Sequence, residues 1–69
     1  MNKSNVKEVL CKGTQCTVRF DVNMGTSGNN LSPIWYYVDN VILSNGKETD
    51  LKGYINAAFL PNCTPMYSL

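Results

Sequence analysis

"TDLKGYINAAFLPN", residues 49–62, is the stretch on which the fold turns. At helical spacing, Leu51, Tyr54, Ile55, Ala58 and Phe59 occupy i, i+3, i+4, i+7 and i+8, the stripe of an amphipathic helix. Thr49 or Asp50 supplies an N-cap, an acid sits in the first turn, and Pro61 with Asn62 ends the run. At strand spacing, Leu51, Gly53, Ile55, Ala57 and Phe59 also satisfy a period of two. Gly53 costs about 1 kcal/mol in a helix interior. Caps and periodicity agree, so the sequence predicts a helix over residues 50–60, with a strand as the alternative.

Upstream of it the pattern is that of strands. "VKEVLC", residues 6–11, alternates imperfectly, and "KGT" turns it. Residues 16–24 give the cleanest alternation: Cys16, Val18, Phe20, Val22 and Met24 against Thr17, Arg19, Asp21 and Asn23. That predicts one buried and one wet face, in a hairpin with the first strand. Residues 25–33 read as a long loop by their glycines, asparagines and serines and the closing Pro33. Residues 34–43, "IWYYVDNVIL", form a third strand that is apolar on both faces. Asn45-Gly46 then makes the strongest short-range hairpin signal, with a short fourth strand expected at residues 47–49. The tail, residues 63–69, offers Met66, Tyr67 and Leu69 as an edge strand or a cover for the core.

The fold class expected is α+β: one domain over residues 1–69, with a small antiparallel sheet of three to five strands and one C-terminal helix packed on it. An all-β SH3-like small barrel is the alternative. Residues 1–5 are expected to fray. "VILSNGKETDLKGYI" resembles the strand–turn–strand of Sm-like RNA-binding proteins. The interval from Gly46 to Gly53 exceeds that family's pattern, and no function is carried over.

Composition narrows the function. A chain of 69 residues sits near the lower limit for independent folding. Only 16% of it is charged, against roughly 25% in an average soluble protein, so its surface repels partners weakly. Its six basic residues are scattered, which does not make the basic stripe of a nucleic-acid binder. It has no histidine, so the commonest thiol-activating base and zinc ligand is missing. No enzyme activity, metal or cofactor is expected. Neither a secretory leader nor an apolar run long enough to span a membrane is evident, and a cytoplasmic location with reduced thiols is expected. Cys11, Cys16 and Cys63 then read as small packed hydrophobes, although Cys11 and Cys16 flank a hairpin loop and could pair.

One helix stripe and one strand face can cover only one side of residues 34–43. The other side is covered if the sheet curls into a small barrel with the helix over its outer face; otherwise it calls for a partner protein or a second copy in a homodimer. The candidate partner-binding residues are Trp35, Tyr36, Tyr37 and Asp39, with Asn29 and Asn30 from the long loop. The expected role is non-catalytic protein binding. By analogy of size and character, such domains occur among small phage or mobile-element accessory proteins, including anti-CRISPR-type inhibitors that occlude a partner surface. The alternative is a small single-stranded nucleic-acid-binding β domain, its exposed aromatics stacking on bases.

Overall fold

The computed structural model describes residues 6–25, 31–60 and 62–68. Five strands make one antiparallel sheet: β1 (Val6–Leu10), β2 (Gln15–Asn23), β3 (Ile34–Ile42), β4 (Gly53–Asn56) and β5 (Thr64–Tyr67). Their spatial order is β1-β5-β4-β3-β2. From β2 to β5 the chain is a simple meander, and β1 closes it by pairing with β5.

This topology forces the sheet to coil. Neighbours are antiparallel throughout, so β1 and β2, at opposite edges, run in the same sense. In a flat sheet the end of β1 and the start of β2 would be separated by about 19 Å across the strands and by a strand length along them. Residues 11–14, which join them, reach about 17 Å at most. The sheet therefore wraps until its two edges meet at one end. Gly13 (φ 95°) and the Thr14 N–H donating to the Cys11 carbonyl (3.0 Å) make that corner.

The expected C-terminal helix is absent. Among the described residues the only helical element is the 3₁₀ turn Ala57–Phe59, and the segment read as a helix supplies β4 instead. Gly53 shows why. A Cβ on it would lie 2.5 Å from the Tyr67 carbonyl oxygen, so glycine is there to let β5 approach the β4 backbone. The residue that counted against a helix is the one that permits the strand pairing. The caps were misread as well. Asn56 begins the 3₁₀ turn, its side chain accepting from the Ala58 N–H.

Two pairings also differ from expectation. Residues 6–10 and 15–23 do not form a hairpin, since β1 pairs with β5 and β2 with β3. Asn45-Gly46 does make a turn, with Gly46 at φ 87° and the Leu43 N–H donating to the Lys47 carbonyl. Beyond it there is only an isolated bridge between Ile42 and Glu48 rather than a fourth strand. The tail, β5, is not an edge but lies between β1 and β4.

The core is Leu10, Val38, Val41, Ile55 and Met66, with Tyr36, Leu43 and Leu51 packed against it. Val38 and Val41 are three residues apart, which plain alternation places on opposite faces. Asn40 reconciles them. It adopts φ 51°, and two β2 steps from Gln15 to Thr17 match three β3 steps from Ile42 to Asp39, so the bulge turns both valines inward.

Cys11 and Cys63 form a disulfide that continues the β1–β5 pairing past the facing pair Leu10 and Thr64. A bond between residues 52 apart constrains the unfolded chain by about 4 kcal/mol in the loop-entropy account, a large share for so small a core. Cys16 is free and exposed. The three cysteines are thus not the packed hydrophobes expected, and the premise of reduced thiols behind the cytoplasmic expectation is lost. Among the described residues no helix is long and apolar enough to cross a membrane.

Candidate functional site

Directly opposed residues of an antiparallel pair share a face. Applied across the sheet, that rule links Phe20 to Tyr37, Tyr37 to Tyr54, Tyr54 to Tyr67 and Tyr67 to Val6. One row of four aromatic rings and a valine thus crosses all five strands, on the face opposite Tyr36 and Val38. Phe20 and Tyr37 stack with centroids 5.1 Å apart and planes at 11°. Tyr54 meets Tyr37 edge-on at 5.0 Å and Phe20 at 6.4 Å. Such pairs are worth about 0.5–1.5 kcal/mol beyond their burial. The row closes toward β5, where Tyr67 is buried against Trp35 (5.6 Å, 74°), and opens toward β2, where Phe20 is 50% exposed.

The open end of the row is also the free edge of the sheet. Among the described residues β2 pairs only with β3, and seven of its nine residues are exposed. Among them Val18 and Phe20 stay about half exposed, and Met24 follows just past the strand. Alternation alone would put Val18 and Phe20 on one face. Arg19 is an extra residue in the β2–β3 register, so Val18 faces with Val38 and Phe20 with Tyr37. The bulge places one apolar side chain on each side of the same edge.

Arg19 also bonds Asp39 through Nε and Oδ1 at 2.7 Å. Both side chains are substantially exposed, so the pair contributes about 0–1 kcal/mol. Its larger effect is to neutralise the only cation beside the row on β2 and β3. The Asn40 Nδ2 donates to Thr17 Oγ1 at 3.4 Å next to it.

The sequence-predicted residues divide. Trp35 is sealed at 4% exposure and belongs to the interior. Tyr36 is half-buried against the core. Tyr37 is half-buried within the row, and Asp39 is the acid of the Arg19 pair. Asn29 and Asn30 lie outside the described residues. Phe20, Val18 and Tyr54 were missed. The clean alternation of residues 16–24 assigned the first two to a core, and the helix reading removed the third from the sheet. The strand alternative for residues 50–60 would have placed Tyr54 beside Tyr37.

At the far corner, a cleft of about 310 Å³ opens between the two edges. Leu10, Cys11, Cys16, Ile55, Leu60 and Thr64 are among its lining residues. Burial there pushes the Cys16 thiol above its ordinary pKa of 9.0. Among the described residues no three His, Cys, Asp or Glu side chains are grouped to hold a metal ion. No known family, curated protein or solved structure matches this chain.

Proposed function

We propose that this chain is a non-catalytic protein-binding module that takes an extended strand of its partner along the free edge of β2. The observation that carries the reading is that edge itself: a nine-residue strand with one side unpaired among the described residues, lined by half-exposed Val18 and Phe20 and continuous with Tyr37 and Tyr54. An added strand takes its affinity from the unpaired backbone groups and its specificity from alternate side chains. Phe20 offers a ring face to one set and Val18 an aliphatic contact to the other. With Arg19 taken up by Asp39, Asp21 is the charge that β2 offers, which suits a partner strand of low net charge that carries a base.

The charge around the row is what disfavours nucleic acid. A base-stacking platform needs cations to hold phosphates, and Arg19 is bound by Asp39 while Asp21 lies one residue from Phe20.

The test is selection of extended peptides from a display library on the wild-type protein, followed by titration against variants. Val18→Pro and Phe20→Ala are expected to lower affinity at least tenfold, and Leu60→Ala, at an exposed site off the edge, to leave it unchanged. Circular dichroism checks that each variant is folded. Peptides that bind all three variants equally, or a preference for oligothymidylate that collapses with salt, would end the proposal. Sedimentation of the pure protein asks whether a second copy occupies the same edge.

A further inference from the structure

The corner where the two sheet edges meet brings all three cysteines into one neighbourhood. Cys11 directly follows β1, is bonded to Cys63, and lines the cleft; Cys16, near the start of β2, is a free thiol lining the same cleft. Between Cys11 and Cys16 the chain turns the corner closed by the Thr14 N–H on the Cys11 carbonyl. Cys63 does not line this cleft.

We propose that this corner is a site of intramolecular thiol–disulfide exchange, in which Cys16 attacks the Cys11 sulfur and displaces Cys63. The Cys16 thiol first loses its proton to solvent. Its sulfur then bonds to Cys11 Sγ as the Cys11–Cys63 bond breaks, and the electron pair leaves on Cys63 Sγ, which takes up a proton. One disulfide and one thiol are present before and after, so neither oxidant nor reductant is consumed. Cys11 is the sulfur attacked because it, and not Cys63, shares the cleft with the nucleophile.

Exchange moves the covalent tie. In the resting form it staples β1 to the approach of β5; in the product it spans only the turn between β1 and β2. Cys63 is then released from its covalent tie to Cys11. The attacking species is the thiolate, so the thiol's raised pKa slows the step at neutral pH and a rise in pH speeds it.

Trypsin can report the result directly. Cleavage after Lys7, Lys12, Arg19 and Lys52 leaves the three cysteines on three different peptides, residues 8–12, 13–19 and 53–69. The oxidised full chain is incubated without oxidant at pH 6 and pH 9, blocked with N-ethylmaleimide, digested and weighed. The expected outcome at pH 9 is a peptide pair joined through Cys11 and Cys16, with the label moved to Cys63. Its rate of appearance should rise about tenfold per pH unit below the thiol's pKa. A label that stays wholly on Cys16 at pH 9, or a Cys16–Cys63 pair forming as fast, would overturn the proposal, the latter by showing statistical scrambling. Two variants treated with oxidised glutathione give an independent reading. Cys63→Ser is expected to close Cys11 to Cys16, whereas Cys11→Ser should leave Cys16 and Cys63 unpaired. Equal closure in both would contradict the assigned geometry.

Discussion

β2 and β5 reverse what their sequences advertise. Residues 16–24 carry the most regular apolar alternation in the chain, yet seven of the nine residues of β2 are exposed. Residues 64–67, "TPMY", contain a proline and no alternation to speak of, yet three of the four are buried. The difference lies in the strand order. β5 has β1 on one side and β4 on the other, while β2 has β3 and then solvent. Alternation reports which residues could share a face. Whether that face is covered depends on what lies beside it, and that is a long-range fact.

The sharpest way to break the comparison is to remove one apolar side chain from each strand. Met66 is fully buried in the core, and Met66→Ala should cost about 3 kcal/mol in urea unfolding, within the range for a large side chain cut back to alanine. Val18, half exposed on the edge, should cost less than about 1 kcal/mol as Val18→Ala. Equal losses would mean that β2 is covered in solution, by a second copy or by the chain itself.

A smaller effect should come from Asn56, which joins the centre of the sheet to the approach of β3. It is fully buried, and its Oδ1 accepts from the Ser32 and Ala58 N–H groups while its Nδ2 donates to the Ser32 carbonyl. Asn56→Ala strands three backbone groups at once and should cost about 2 kcal/mol. Asn56→Asp keeps the acceptor but not the donor and should recover part of that loss at neutral pH. An aspartate no better than alanine would assign the cost to packing instead of to hydrogen bonds.

Asn56 also shows where sequence reasoning stops. Its half-buried partner Ser32 is 24 residues away, and no local pattern announces the contact. The strands at residues 6–10, 15–23 and 34–42 were legible because alternation and turn residues are local. β4 was not, because the stretch before Pro61 fits both periods, and only the approach of β5 to Gly53 decides between them. The candidate site suffered likewise. Tyr37 was found because three aromatics in succession are conspicuous, but Trp35 beside it is sealed by Tyr67, and Phe20 reaches the row only through a bulge at Arg19. Bulges at Arg19 and Asn40 change which residues share a face, and neither residue type signals one by itself.

The smallest expected effect lies at Cys16, where the edge strand comes nearest to behaving like the centre. Its residue is exposed, yet burial in the cleft pushes its thiol above 9.0, the ordinary value. The folded chain therefore keeps this proton to higher pH than the unfolded chain does. By linkage the neutral thiol favours folding fully below pH 9, and that contribution is lost as pH rises through the folded-state value. Iodoacetamide alkylation, read on the peptide carrying residue 16, gives the midpoint directly and traps the thiol before exchange can move it. The midpoint should lie higher in the native protein than in urea, where the ordinary thiol value returns. A native midpoint no higher than the one in urea would place the thiol in open solvent and remove the cleft as a distinct environment.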